Sequence, residues 1–137
     1  MRLILDANEY IFALGLFKKE SCETLLKTII NTFPTHTFCT CRTIVEEVRA
    51  NLTPQEFQDF IKLINIFSTV DEDILIPFQI GAKYESMGLK PADAFIAAYT
   101  EWSGADALVT ENRHFLSRHD LPFKVLNAEI CLKILKK

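Results

Sequence analysis

Acidic and amide side chains follow two short apolar segments of this 137-residue chain, where they could bind a ligand. Asp6 comes directly after the apolar residues 3–5, and Asn112 follows the apolar residues 107–109 by three positions. Continuous apolar runs are typical of parallel strands that are buried on both faces. Ligands of parallel sheets bind outside the carboxyl ends of the strands. Asp6 is therefore placed to contact a ligand, although a turn aspartate that caps the next helix is an equally good explanation of Asp6 alone.

Asp93 lies at the start of a helix predicted from Pro91 to about residue 102. At helical spacing it shares a stripe with Ile96, Ala97 and Thr100, so its carboxylate is expected to be half-buried. Burial of a charge is costly unless another group neutralises it. The alternative is an aspartate that stabilises the positive end of its own helix by about 0.3–1 kcal/mol.

Two adjacent acids, Glu46 and Glu47, lie in the first turns of a helix predicted over residues 42–52. Relative to the centre of the apolar stripe, helix geometry places Glu47 at about 115° and Glu46 at about 145°. Glu47 is thus nearer the buried face, and we favour it as the acid that faces the site. A pair of solvated acids remains the alternative.

Carboxylates that crowd at one edge of a sheet repel each other and raise one another's pKa. A hard divalent cation removes this conflict, and Mg²⁺ or Mn²⁺ suits a site built only of oxygen ligands. The sequence therefore predicts that the crevice where these carboxylates meet binds a divalent cation.

The rest of the sequence alternates between predicted strands and helices, which favours parallel strands joined by right-handed crossovers. We predict one domain over residues 1–137, a three-layer α/β/α sandwich with a mostly parallel central sheet. The predicted strands are 3–5, 37–40, 66–70, 106–110 and 123–126. The predicted helices are 10–17, 22–33, 42–52, a helix capped by Thr53, 74–87, 91–102, 113–116 and 128–135.

Composition excludes several classes of protein. Hydrophobic residues make up 49% of the chain and the net charge is −3, so a packed globule is expected and any nucleic-acid binding requires a local basic patch. No apolar run approaches the length of about 20 residues that spans a membrane, and no secretion signal is recognisable, which favours the cytoplasm. The four cysteines form no C-x-x-C pair and are predicted to be buried free thiols. With four glycines, the chain has no phosphate-binding glycine-rich loop.

Four segments, LILDAN, IVEEV, KPADAFIAA and ALVTENRHF, follow one another in an order that resembles the PIN domain (PilT N-terminus) nucleases. The chain resembles this family over essentially its whole length, and KPADAFIAA with LVTEN is the most specific part. Many family members are the toxins of bacterial and archaeal toxin–antitoxin pairs. The resemblance implies a PIN-like fold and a Mg²⁺- or Mn²⁺-dependent endoribonuclease.

The resemblance also implies roles for individual residues. Asp6, Glu47 and Asp93 match the three acidic catalytic and metal-binding positions of the family, and Asn112 matches a fourth catalytic position that is often Asp. Thr110 matches the hydroxyl at the strand end. The chain departs from the family at Asn112, which brings no charge, and at residue 7, where an alanine replaces the common Thr or Ser.

The implied partners are RNA and an antitoxin protein, and a homodimer is left open. Lys90 and Arg113, with His114, border the predicted crevice and are expected to hold substrate phosphates. Asn8 and Asn112 are expected to orient carboxylates or water. One alternative is a degenerate PIN domain that binds RNA or protein without cleavage. Another is a phosphate-accepting regulatory domain with Asp6 as acceptor, but the paired acid and the later lysine that this function requires are not evident.

Overall fold

A single parallel sheet of five strands forms the centre of the molecule. The computed structural model describes residues 1–136; Lys137 lies outside the described residues. The strands are β1 (Arg2–Leu5), β2 (Thr37–Cys41), β3 (Ser68–Asp71), β4 (Ala107–Val109) and β5 (Lys124–Leu126). Every strand pair is parallel and the spatial order is β3-β2-β1-β4-β5. The predicted three-layer α/β/α fold is confirmed, and the sheet is parallel throughout.

Helices connect consecutive strands, as parallel pairing requires. They are α1 (Ala7–Leu14), α2 (Glu20–Thr32), α3 (Arg42–Asn51), α4 (Pro54–Phe67), α5 (Phe78–Ser86), α6 (Pro91–Trp102), α7 (Arg113–Leu116) and α8 (Ala128–Leu135). Within residues 1–136, no helix combines the length and the apolar character needed to cross a membrane. All four cysteines are free and buried, as predicted.

Strand β1 lies in the middle of the sheet, with β2 on one side and β4 on the other. Its residues Leu3, Ile4 and Leu5 are completely buried, because helices cover both faces of the sheet. The chain places β2 and β3 on one side of β1 and then β4 and β5 on the other. The direction of winding thus reverses between β1 and β4, and ligands of open parallel sheets bind at such a reversal.

Helix α1 begins three residues earlier than predicted and also ends three residues earlier. The side chain of Asp6 accepts a hydrogen bond from the Ala7 N–H and caps the helix, so the polar stretch after β1 is already helical. Leu16 and Phe17, which the apolar pattern assigned to the helix, are 84% and 82% exposed in the following loop. The apolar run there marks an exposed surface and does not mark a buried helix face.

The single helix predicted over residues 74–87 is wrong in its first part. A short 3₁₀ turn, Asp73–Leu75, comes first, and α5 starts only after Pro77. Ile76 is extended (φ −87°, ψ 122°), because the ring of a proline disfavours helical geometry in the residue before it. Strand β3 likewise starts at Ser68 and not at residue 66, since α4 continues to the buried Phe67.

Candidate active site

A cavity of about 430 Å³ lies at the carboxyl edge of the sheet, where the winding reverses between β1 and β4. At about 30 Å³ per water molecule, it has room for a hydrated ion and part of a larger ligand. None of its lining residues is basic. They are Asp6, Asn8, Thr43, Glu47, Ala92, Asp93, Ile96 and Asn112.

Asp6 enters the cavity from the end of β1 and is 6% exposed. Its Oδ1 accepts a hydrogen bond from the Ala7 N–H at 2.8 Å, and its Oδ2 accepts one from the Thr110 hydroxyl at 2.8 Å. Burial raises the pKa of Asp6; the two hydrogen bonds lower it and the charge of Asp93 raises it again. Both explanations offered for Asp6 therefore hold, because it caps α1 with one oxygen and lines the cavity.

Asp93 and Glu47 reach the same cavity from two helices. Asp93 lies in the first turn of α6 and is partly buried, whereas Glu47 lies in the middle of α3 and is more exposed. The pKa of Glu47 is raised by burial first and then by the charges of Asp6 and Asp93. The mutual repulsion expected from the sequence is thus present in the folded protein.

The two adjacent acids of α3 differ in position. Glu47 lines the cavity, and Glu46 is not among the lining residues. The buried residues Ile44, Val45 and Val48 hold α3 against the core and orient the Glu47 position towards the sheet edge. Glu47 is thus the acid of the pair that lies beside the cavity, as the helical angles of the two residues favoured.

The hydroxyl of Thr110 is the centre of a hydrogen-bond network at the end of β4. It donates to Asp6 and accepts from the Asn112 backbone N–H at 3.0 Å and the Asn8 Nδ2 at 3.4 Å. The Asn8 Oδ1 accepts from the Glu111 N–H at 3.3 Å. This network ties the loop after β4 to the start of α1, so that the Asp6 carboxylate is held in one orientation.

Asn112 lines the cavity, but its side-chain oxygen also caps a helix. Its Oδ1 accepts a hydrogen bond from the His114 N–H at 2.9 Å at the start of α7. The connection of Asn112 with Asp6 runs through its backbone N–H and Thr110. No hydrogen bond joins the Asn112 side chain to a carboxylate among the described residues.

Glu111 points away from the cavity, into a second group of acidic and thiol side chains. Its Oε1 accepts from Lys19 Nζ at 2.7 Å and its Oε2 accepts from the Ala128 N–H at 3.0 Å. One ligand atom each of Glu9, Cys22 and Glu111 lie within 4.8 Å of one another. In the part of the chain that the structure describes, Asp6, Glu47 and Asp93 do not come that close.

The buried acid Glu9 was missed by the sequence analysis. It is completely buried, and burial, followed by the neighbouring Glu111, raises its pKa to about 10. Its Oε1 accepts from the Cys22 thiol at 3.6 Å, and its Oε2 has no hydrogen-bond acceptor or donor assigned. A glutamate between apolar helical residues was the available signal, since such a position is buried when the helix packs on a sheet.

The residues of the acidic cavity fit a hard divalent cation. Three carboxylates, two side-chain amides and one hydroxyl line the cavity and offer oxygen ligands, and no lining side chain neutralises the carboxylates. Asp6 is buried as a charged group without a basic partner, which is costly in the absence of a cation. Asp6, Glu47 and Asp93 could therefore hold Mg²⁺ or Mn²⁺.

Lys90 and Arg113, the predicted phosphate-binding residues, flank the cavity on different elements. Lys90 directly precedes α6 and lines an adjacent cleft together with Asp93 and His114. Arg113 is the first residue of α7; it is exposed and lines neither the cavity nor the cleft.

Solved structures with the same architecture come from toxin–antitoxin proteins. VapBC2 from Rickettsia felis, bound to a DNA fragment from their promoter, has a TM-score of 0.64 and 17% identity over 93% of this chain and 98% of that chain. FitAcB from Neisseria gonorrhoeae has a TM-score of 0.58 and 18% identity over 93% of this chain and 98% of that chain. FitAB bound to IR36 DNA has a TM-score of 0.60 and 20% identity over 92% and 94%.

These likenesses show the fold. The resemblance of the sequence to PIN domains is confirmed at this level: the chain has a PIN-like fold. No protein-family model matches the sequence, and neither does any curated protein.

Proposed function

We propose that this protein is the toxin of a toxin–antitoxin pair and acts as a metal-dependent endoribonuclease. The observation that carries the proposal is the cavity at the winding reversal of a PIN-like fold, which three carboxylates line together with no basic residue in the lining. The similarity to VapBC2 and FitAB supports the toxin assignment and an antitoxin protein as partner.

Asp6, Glu47 and Asp93 would hold Mg²⁺ or Mn²⁺. When bound, such an ion lowers the pKa of a coordinated water and offsets the charge that builds on a phosphate during hydrolysis. The chain itself holds the Asp6 carboxylate in one orientation, because the Thr110 hydroxyl and the Ala7 N–H donate to its two oxygens. Glu47 lies on a helix at the open side of the cavity, where it can bind the ion directly or through water.

RNA is the proposed substrate. With a net charge of −3, the molecule can attract a polyanion only through local cations, and Lys90 and Arg113 lie beside the acidic cavity. A single-stranded or looped site fits best, because unpaired nucleotides can enter a cavity of this kind. Asn8 would act indirectly, through its hydrogen bonds to Thr110 and Glu111.

A binding-only PIN-like domain is the second candidate. Asn112 favours it, because this residue brings no charge to the cavity and its side-chain oxygen is already bonded to the His114 N–H. A site of this kind would bind RNA or a protein without cutting it.

Cleavage of a labelled single-stranded RNA separates the two candidates. We expect the wild type to cleave in Mn²⁺ or Mg²⁺ and to be inactive in EDTA, and we expect Asp93→Asn to be inactive in both. Asp59→Asn is the matched control, since Asp59 is an exposed aspartate of α4 outside the cavity. RNA binding without cleavage at any metal concentration would favour the binding-only candidate.

A further inference from the structure

We propose that the cleft beside the acidic cavity binds a phosphate of the RNA strand next to the one that is cleaved. This proposal rests on the proposed function, whose substrate it places on the molecule. The cleft has a volume of about 360 Å³, within the range of about 300–1,000 Å³ that is typical of ligand sites. Lys90, His114 and Arg118 line it, and Asp93 lines both the cleft and the acidic cavity.

The two adjoining cavities differ in the charged side chains that line them. The acidic cavity has three carboxylates and no basic residue, whereas Asp93 at the shared edge is the one carboxylate of the cleft. An RNA strand that passes from the acidic cavity to the cleft would therefore place one phosphate near the carboxylates, where a bound cation would contact it. The next phosphate would lie among the basic side chains of the cleft. Such contacts to phosphates are independent of base sequence and position a strand.

Lys90 is the cation that is available to a ligand. No carboxylate lies within 4.0 Å of its amine in the part of the chain that the structure describes, and its side chain is exposed. Arg118, by contrast, donates two hydrogen bonds to Asp120, at 3.0 and 2.7 Å. Lys90 is therefore expected to contribute more to phosphate binding than Arg118.

The walls of the cleft are held together within the protein. The Arg118 guanidinium donates to the Met87 carbonyl at 3.1 Å and so ties the end of α7 to the turn before Lys90. That turn contains Gly88 with φ +97°, a conformation that other residues rarely adopt. The buried side chains of Leu89 and Phe115 anchor the two walls in the core. Lys90 and His114 are thus presented by fixed backbone.

The test measures RNA binding separately from cleavage. Fluorescence anisotropy of a labelled single-stranded RNA, in Ca²⁺ with the RNA checked for integrity, gives the affinity at several salt concentrations. One lost phosphate contact lowers the slope of log affinity against log salt by about 0.7 for a single strand. We expect this decrease for Lys90→Ala, a smaller one for His114→Ala, and retention of the wild-type slope by Lys90→Arg. Lys62→Ala, an exposed lysine of α4, is the matched control and should be unchanged.

A wild-type slope in Lys90→Ala would overturn the cleft, whether or not the protein cleaves RNA. If the wild type cleaves RNA but Lys90→Ala keeps the wild-type salt slope, the cleft is not a phosphate site and the nuclease assignment stands. If the salt slope decreases in Lys90→Ala but the wild type does not cleave RNA in the presence of any metal ion, the cleft is a phosphate-binding site and the nuclease assignment is wrong. Equal melting temperatures of wild type and variants show that each variant is folded.

Discussion

Two groups of acidic side chains in the described part of the chain differ in what compensates their charge. The first is the group that we propose as the metal site, Asp6, Glu47 and Asp93, which we call the metal-site triad. The second is the buried acid pair, defined as Glu9 and Glu111. Helix α1 takes part in both, since Asp6 caps it and Glu9 lies within it.

The buried acid pair has its own cation and its own proton. Lys19 Nζ lies 2.7 Å from Glu111, and although burial alone would raise the pKa of Glu111, hydrogen bonds from its neighbours lower it. Glu9, with a pKa of about 10, is protonated at neutral pH. The Glu9 carboxyl therefore carries no charge beside the Glu111 carboxylate, and Lys19 compensates the charge of Glu111 without a metal.

The metal-site triad has neither of these. No lysine, arginine or histidine lines its cavity; the charge of Asp93 raises the pKa of Asp6, and the charges of Asp6 and Asp93 raise the pKa of Glu47. From this comparison we propose that the triad, and not the more closely spaced pair, binds the metal ion. The more closely spaced group is the one that needs no metal, because an internal lysine and a proton already compensate it.

The largest expected effect comes from the support of Asp6. Thr110→Val removes the hydroxyl that donates to the Asp6 carboxylate, and loss of a partner that orients a metal ligand typically costs 10–100-fold in metal affinity or activity, so a decrease of about that size is expected. Thr110→Ser should retain most of the affinity, because it keeps the hydroxyl. Mn²⁺ affinity by calorimetry checks both variants; equal affinity in Thr110→Val and wild type would show that the hydrogen bond is not needed.

A somewhat smaller effect separates the two acids of α3. Glu47→Gln should lower the RNA cleavage rate by roughly tenfold, about 1.4 kcal/mol in transition-state free energy. Glu46→Gln should leave the rate unchanged, since Glu46 does not line the cavity. A rate that falls only in Glu46→Gln would reverse the assignment.

The buried acid pair predicts a pH-dependent stability. In the unfolded chain Glu9 releases its proton near pH 4.5, whereas in the folded protein it keeps the proton up to a pKa of about 10. The stabilisation from this proton is complete below pH 4.5 and decreases as the pH rises towards 10. In Glu9→Gln the side chain is an amide that does not titrate, so this variant should not show this loss of stability as the pH rises.

Chemical denaturation at pH 5 and pH 7 checks the effect. Relative to Glu9→Gln, the wild type should lose roughly 1–3 kcal/mol of unfolding free energy between these values, since each unit of pH contributes at most about 1.4 kcal/mol. A constant difference between the two proteins over this range would show that Glu9 is ionised when folded.

The smallest expected effect concerns Asn112, the uncharged corner of the acidic cavity. Asn112→Asp keeps a side-chain oxygen that can cap α7, so the fold should be unaffected. The added charge should raise cleavage a few-fold at limiting Mn²⁺, with the gain fading at saturation because mass action then fills the site in both proteins. A variant that is slower at every Mn²⁺ concentration would show that the neutral amide is required.

The sequence was sufficient to predict those features that depend on local patterns. Thr53 forms the predicted capping box with Glu56, and α6 has its predicted bounds because Pro91 and the turn after Trp102 fix them. Asp6 and Asp93 were recognisable because a strand end and a helix start mark their positions.

The features that escaped prediction depend on tertiary contacts. The role of Glu9 required knowing that Lys19 and Glu111, from distant parts of the chain, meet beside it. The exposure of Phe17 depends on which apolar residues pack into the core, and this cannot be read from the local sequence. The placement of Arg118 against Met87 likewise follows from packing and has no local signature.

Mn²⁺ titration of three proteins tests the central claim most directly. Isothermal calorimetry on the wild type, Asp93→Asn and Glu9→Gln, without RNA, compares the metal-site triad with the buried acid pair. The account predicts that Asp93→Asn loses most of the Mn²⁺ affinity and that Glu9→Gln retains the affinity of the wild type. Retained affinity in Asp93→Asn together with lost affinity in Glu9→Gln would place the ion at the buried acid pair and contradict the account.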